Sequence, residues 1–415
     1  MDPLNLANFA LHMSGFKLNQ WKSPEEIQKI QANKLARILS LAKNSVPHYR
    51  KSLAGIESVT PDQLGRLPVL EKAEIAKNPQ SLVNPGARNL QAHPTSGSSG
   101  IPLKIVIGDD GIYGLALRYH CLTESGLGPF DTLLHLLSFP LYRSFPQKFV
   151  YRFINISPFE DERKILDKMR GAGRGVYFGY PSTLTVLSEL NNASGSPIAL
   201  KKIIPSSETF SDSARKFAEK SFSCKSGNYY GANECWGIAF ECDRGSLHVN
   251  SDSVIVEIVD EDGEPAGLGK SGSVLITSLW RTSMPFIRYR IGDIASFEAK
   301  CPCGRGTPVL SRIEGRSTSF IILPGGQKFL WPKIGLRLRH LEGILQFQGV
   351  QESPERLAIR LVPSGRPSAA VAEAVHGIVA SALPGMIVKV GWVEKIGREK
   401  SGKVRDFIPL EGASR

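Results

Sequence analysis

Thr95-Ser96-Gly97-Ser98-Ser99-Gly100-Ile101-Pro102 reads as a loop built to wrap an anion. Glycines let backbone N–H groups approach phosphate oxygens closely, and Thr and Ser hydroxyls add donors without bulk. The run that follows, Leu103-Lys104-Ile105-Val106-Ile107, is β-branched and apolar, so the loop is expected at a sheet edge or in a hairpin, a placement that suits an ATP site. A Ser/Gly cluster alone is equally a plain turn, and the rest of the chain decides between the two.

Three more segments carry chemistry, well separated along the chain. Tyr229-Tyr230-Gly231-Ala232-Asn233-Glu234 puts aromatic rings and a carboxylate in one turn-like stretch. A ring there can stack on a nucleobase, and Glu234 can hold Mg²⁺ beside phosphate oxygens. Arg288-Tyr289-Arg290-Ile291-Gly292-Asp293 ends in a carboxylate after a glycine, which can present an acceptor to paired ribose hydroxyls. Ser401-Gly402-Lys403-Val404-Arg405 offers a lysine on a turn of small residues, although lysines near a C-terminus are also common as solvated tails.

In this order the four segments resemble the adenylate-forming ligases, and within them the phenylacetate–CoA ligase family. Thr95, Ser96, Gly97, Ser98, Ser99 and Gly100 match the family's phosphate loop. Tyr230-Gly231 with Asn233 and Glu234 matches its tyrosine–glutamate motif, Asp293 its ribose carboxylate, and Arg316 its hinge-proximal arginine. Ser207-Glu208 matches a small-residue–Glu segment beside the adenine, and Lys403 matches the catalytic lysine. Leu35 to Tyr49 is similar to the family's N-terminal helix. The length and N-terminal style are nearest to relatives encoded in capsule and exopolysaccharide clusters.

The resemblance implies an α/β fold. A large N-terminal adenylate-forming domain, residues 1–315, would carry β-sheets with flanking helices. A small mobile α+β C-terminal lid, residues 316–415, would carry Lys403. It further implies activation of a carboxylic acid by ATP to an acyl-adenylate, with Glu234 and Lys403 catalytic, then transfer to CoA. Two departures bear on substrate and motion. Thr318 and Ser319 stand where the family carries two aspartates, and Leu136 to Arg143 lacks its glycine-rich acyl segment, so phenylacetate itself is not the expected acid. Trp236 and Gly237 are candidates for the acyl pocket, where the indole would favour a small or flat acid; a packed core indole is the competing reading. Other acceptors, an amine or a sugar hydroxyl, and a non-catalytic nucleotide-binding homologue are the alternatives.

Cys301-Pro302-Cys303-Gly304 is a tight turn able to present two thiolates to one metal, and Cys242 with His248 supplies a second pair. Together they make a three-sulfur, one-nitrogen set for a structural Zn²⁺, against free thiols as the alternative. Some members of the resembled family carry such an arrangement. Cys121, Cys224 and Cys235 are expected to be ordinary buried or semi-buried thiols.

With 51 Lys and Arg against 39 Asp and Glu, the formal charge is +12, which invites an anionic partner. ATP and CoA suffice as partners. The basic residues are dispersed and lack aromatic interleaving, so nucleic acid is not expected. Met1 to Gln20 lacks a basic start followed by an unbroken apolar run, no transmembrane segment is found, and a cytoplasmic location follows as the default. A homodimer is allowed for.

Periodicity predicts a helix from Pro24 to Leu53, stopped by Pro47, and another from Gly111 to Ser125. Thr132–Leu137 and Gly175–Phe178 read as strands that alternate with helices over Asp161–Arg170 and Ser182–Asn192. Asn250–Ile258 and Gly272–Ser278 read as β, with a hairpin turn at Asp260–Gly263. Beyond Gly315, strands are expected at Phe320–Leu323, Leu357–Val362 and Ile387–Val393, and helices at Pro332–Leu341 and Pro367–Leu383.

Overall fold

A computed structural model describes residues 3–94, 103–138, 152–311 and 313–410. The chain forms two compact units, residues 1–125 with 229–313, and residues 126–228 with 314–415. The phosphate-loop candidates Thr95 to Gly100 lie outside the described residues. Their flanks do form a hairpin, with Gln91–Pro94 antiparallel to Lys104–Ile107.

In the first unit an N-terminal helix, Pro3–Asn19, precedes a longer one, Pro24–Ser45. The longer helix starts at a capping box, with Ser23 accepting from the Glu26 amide and Glu26 from the Ser23 amide. Its buried face is Ile27, Leu35, Ile38, Leu39 and Ala42. The helix does not run to Leu53. Val46, forced out of the helical region by the proline ring after it, sits at φ −95, ψ 119, and Pro47 opens a separate helix Pro47–Ser52. Two antiparallel sheets follow: Val254–Val259, Gly272–Ser278 and Tyr289–Ala295 in one, and Phe297–Glu298, Val309–Leu310, Leu247–Val249, Trp236–Glu241 and Tyr229–Ala232 in the other. The turn at Asp260 is present, its carboxylate accepting from the Asp262 and Glu264 amides, but the whole span from Asp260 to Ser271 joins the two strands.

The second unit contains a five-stranded parallel sheet in the spatial order Arg152–Asn155, Thr132–Leu136, Val176–Gly179, Lys202–Pro205, Lys225–Ser226. Numbered along the chain this is 2-1-3-4-5, a doubly wound order whose direction reverses between Thr132–Leu136 and Val176–Gly179. Helices Glu162–Gly171, Pro181–Ala193 and Asp212–Ser221 lie between strands, and Leu134, Leu136, Tyr177, Ile203 and Phe222 pack with them into one core. The same unit holds a four-stranded sheet, Ile387–Trp392, Arg356–Pro363, Ile344–Ser353 and Phe407–Ile408, with helices Pro332–Arg339 and Ala369–Ala382 closing a core around Trp331. The long strand Ile344–Ser353 escapes the periodicity because Gln348 and Gln351 are buried in it. Their amides are satisfied by the carbonyls of Arg405 and Ile322. Among the described residues no helix is long and apolar enough to cross a membrane.

Candidate active site

In the first unit the tyrosine–glutamate segment and the strand Tyr289–Ala295, which carries Asp293, meet through hydroxyl–carboxylate pairs. Tyr230 donates its hydroxyl to Asp293 Oδ2 at 2.8 Å, and Tyr289 donates to Glu234 Oε1 at 3.2 Å. All four side chains are buried. Backbone distortion aims them. A register shift interrupts the pairing of Tyr289–Ala295 with its neighbour, Gly292 sits at φ 87, and the bulge turns Asp293 toward Tyr230. A second shift falls between Tyr230 and Gly231, where a Cβ would stand 2.3 Å from the Trp236 carbonyl, so that position admits only glycine. Asn233 is half-buried in the turn that follows.

The sequence reading gave Tyr230 a stacking role; the structure also makes its hydroxyl the anchor of the candidate ribose carboxylate. Tyr230→Phe removes that donor from a charged acceptor. The expected result is a KM for ATP raised roughly tenfold with kcat largely kept, checked by steady-state kinetics at saturating acid.

The two arginines of the Arg288–Asp293 stretch serve as fasteners. Arg288 pairs with Glu257 at 3.0 Å and donates to the Leu67 carbonyl at 2.7 Å, while Arg290 pairs with Glu71 at 2.8 Å. Trp236 packs in an aromatic cluster: the Trp280 ring lies 6.0 Å away, edge to face, and the Arg118 guanidinium stands 4.5 Å over the Trp236 ring. Gly237 lets Cys121 come close, since a Cβ there would lie 2.6 Å from Cys121 Sγ. Cys121 and Cys235 are buried and Cys224 half-buried.

Also in the first unit, the candidate ligand atoms of Cys242, His248, Cys301 and Cys303 lie within 4.8 Å of one another. The Cys242 and Cys301 sulfurs are 3.8 Å apart. A tetrahedral Zn²⁺ with bonds of about 2.3 Å to sulfur requires an edge of about 3.8 Å. His248 Nε2 stands 3.2 Å from Cys303 Sγ, and Thr307 Oγ1 lies 3.2 Å from Nδ1, which fixes the ring with Nε2 facing the sulfurs. Burial, with help from the Arg305 charge, pushes the His248 imidazole down to about 4, so it is neutral near pH 7 and has a lone pair for a metal. The donor set and its spacing fit zinc.

In the second unit, Ser401-Gly402-Lys403-Val404 is seated against the carboxyl ends of the parallel strands. Tyr180, directly after the strand Val176–Gly179, donates its hydroxyl to the Ser401 carbonyl at 3.2 Å and lies 2.8 Å from Ser138 Oγ at the end of the neighbouring strand. Gly402, at φ 79, packs so tightly that a Cβ would meet Pro158, Phe159 and Tyr180 at 3.2–3.3 Å. Glu208 accepts from the Ser182 amide at 2.9 Å, the Ser182 hydroxyl at 3.0 Å and the Val404 amide at 2.6 Å. Burial pushes the Glu208 carboxyl above its ordinary range, and the Lys403 charge works against that shift. Ser207 is exposed at φ 72. Arg316 is half-buried in the short strand Gly315–Arg316, and its charge bears on Asp406. Thr318 lies in the turn after it, and Ser319 closes that turn by donating its amide to the Arg316 carbonyl.

Sequence reasoning missed Tyr180, Ser182 and Tyr289 as parts of these sites. The available signal was a strand ending at Tyr180-Pro181-Ser182, a proline-led helix start at a carboxyl end.

No family model matches the chain. The phenylacetate-coenzyme A ligase of Thermus thermophilus is 25% identical over 324 residues, covering 72% of this chain and 73% of that protein, and the Escherichia coli enzyme of that name is 24% identical over 331 residues, 74% and 75% of the two chains. This chain is a relative of the phenylacetate-coenzyme A ligases. Protein CapK of Staphylococcus aureus is 28% identical over 173 residues, covering 40% of this chain and 36% of CapK. The fold agrees with that kinship. A 2-hydroxyisobutyryl-CoA ligase structure superposes with a TM-score of 0.79 at 20% identity over 95% of this chain and 91% of that one, so this relative of the phenylacetate ligases shares the α/β fold of that ligase.

Proposed function

We propose that the protein is an AMP-forming carboxylate–CoA ligase acting on an aryl or small organic acid. The observation that carries the reading is the seating of the Lys403 segment at the carboxyl ends of the parallel strands, where the 2-1-3-4-5 order reverses. Open α/β sheets bind ligands at such switch points.

The chemistry has two halves. A carboxylate oxygen attacks the α-phosphorus of ATP, the bond to the pyrophosphate oxygen breaks, and acyl-adenylate and pyrophosphate result. Lys403 brings a cation to the oxygens on which negative charge gathers. The phosphate loop from Thr95 to Gly100 supplies donors to the leaving pyrophosphate. Glu234 would hold Mg²⁺, which supplies charge neutralisation there. Asp293, held by Tyr230, accepts from ribose hydroxyls, with Ser207 and Arg316 on the nucleotide and Trp236 and Gly237 toward the acid. In the second half the CoA thiol loses its proton, its sulfur attacks the acyl carbon, and the bond to AMP breaks. Residues 316–415 would act as the mobile lid relative to 1–315, removing Lys403 between the halves. Cys242, His248, Cys301 and Cys303 would hold a structural Zn²⁺. The reading places the enzyme in the cytoplasm, with a homodimer as the assembly to test.

The test is AMP and pyrophosphate release from ATP across a panel of aryl and short aliphatic acids, with and without CoA. Acid-dependent release that needs CoA is the expected result. Release independent of CoA assigns an amine or hydroxyl acceptor, and a chain that binds ATP without turnover over the panel is a binding homologue.

A further inference from the structure

Glu208 stands where the resemblance puts an adenine neighbour, yet its carboxylate is engaged elsewhere. Three donors converge on it: the Ser182 amide and hydroxyl at the start of helix Pro181–Ala193, and the Val404 amide. The first two are the work of an anion at a helix N-terminus, where the unsatisfied N–H groups and the dipole favour negative charge. The third has no such explanation, because Val404 belongs to a segment that returns from 196 positions further along the chain. That bond fixes the peptide directly after Lys403.

Further contacts grip the backbone of the segment. Tyr180 holds the Ser401 carbonyl, Gly402 is packed on Pro158, Phe159 and Tyr180, and the Gly402 amide donates to the Glu399 carbonyl at 2.9 Å. The Val404 side chain packs on Ala214, Leu345, Val362 and Ile396. The main chain is thus held on both sides of Lys403, and Glu208 is the carboxylate that holds its C-terminal side.

We propose that Glu208 is a positioning residue for Lys403: its carboxylate latches the lysine-bearing turn to the helix start at the carboxyl end of the parallel sheet. This rests on the assignment of Lys403 as the lysine of the adenylation half. The bonds are charge-assisted, and losing them lets the turn sample other positions, which lowers the fraction of molecules with the lysine in place.

Glu208→Ala removes all three acceptor contacts. Glu208→Gln keeps a carbonyl oxygen for the Val404 amide and the Ser182 hydroxyl while presenting an NH₂ group toward the Ser182 amide. The expected result for Glu208→Ala is a kcat for acid-dependent ATP–pyrophosphate exchange lowered roughly 10- to 100-fold with KM for ATP unchanged, and a smaller loss for Glu208→Gln. Thioester formation from supplied acyl-adenylate and CoA stays at the wild-type rate. Adding Glu208→Ala to Lys403→Ala produces no further loss, because both act through one group. A raised KM for ATP with kcat kept would overturn the proposal in favour of an adenine contact. Equal loss in both halves with a lowered Tm, or losses additive with Lys403→Ala, would overturn it in favour of a merely structural carboxylate.

Amide hydrogen exchange at Val404 tests the latch without reference to turnover. Faster exchange there in Glu208→Ala than in wild type supports it, and unchanged protection overturns it. A wild-type protein with no acid-dependent exchange on any acid sinks the ligase reading instead, a result distinguishable from failure of the latch.

Discussion

Lys403→Ala is expected to lower acid-dependent ATP–pyrophosphate exchange by about 10²- to 10³-fold while leaving the fold and the thioester half intact. The size follows from the task. A cation placed where charge develops in a water-poor site acts on the transition state far more than on bound substrates, so the loss falls on kcat. The selectivity follows from the structure. Tyr180 grips the Ser401 carbonyl, Glu208 the Val404 amide, and Gly402 is packed through its α-carbon, three contacts that do not depend on the side chain at 403. Alanine at 403 therefore keeps the turn in place. The measurements are isotope exchange for the first half, thioester formation from supplied acyl-adenylate for the second, and Tm. Exchange retained within a few-fold of wild type would remove Lys403 from the mechanism and, with it, the reason to read the carboxyl ends of the parallel sheet as the reacting centre.

Removing the metal site has the largest expected effect on stability. Purified protein should carry stoichiometric zinc. Cys301→Ser, or prolonged chelation, should cost more than about 3 kcal/mol of stability, because metal binding to a preformed site is folding free energy. The four ligands tie three chain segments together: the end of strand Trp236–Glu241, the strand Leu247–Val249, and the turn at Cys301–Cys303. Arg305 extends the tie, donating to Cys303 Sγ at 3.5 Å, Glu124 at 2.6 Å and Gln20 at 2.7 Å, and stacking 4.4 Å over Trp21. Strand Tyr229–Ala232, which carries Tyr230, pairs directly with strand Trp236–Glu241. Adenylation activity should therefore fall together with zinc content. Metal analysis and thermal unfolding decide it: a metal-free native protein, or a serine variant with unchanged Tm, would leave these residues as free thiols and an imidazole.

The legible features of this chain were those whose meaning is local. The hairpin around the Ser/Gly segment announces itself through a β-branched run after a cluster of small residues, and its strands are found there. Two of the parallel strands, Thr132–Leu136 and Val176–Gly179, and the helices Glu162–Gly171 and Pro181–Ala193 were placed within a few residues because each buries one continuous apolar run or one helical face, while the other three strands and helix Asp212–Ser221 were not read. Local rules also explain the misses. Reading Pro47 only as a stop overlooked that the same ring is well suited to begin a helix, so one helix became two. Strand Ile344–Ser353 was not read, since a glutamine cannot reveal from its own neighbours that distant carbonyls satisfy it.

By itself the sequence determined the residue types and spacings: a carboxylate after a tyrosine turn, a carboxylate after Gly292, a lysine on a small-residue turn, and two pairs of metal-ligand types. These depend on side-chain chemistry and on torsions within a few residues, and both are written in the local chain. Only the tertiary structure decided which groups meet. Tyr230 with Asp293 is a pairing across 63 positions, and Cys242 with Cys301 across 59. Glu208 is the sharpest case: the family resemblance puts it beside the adenine, while the fold hands its carboxylate to the turn that carries Lys403. Long-range pairing of this kind is set by strand order and register, where one residue of slip would turn each side chain to the opposite face, and no short window of sequence carries that information.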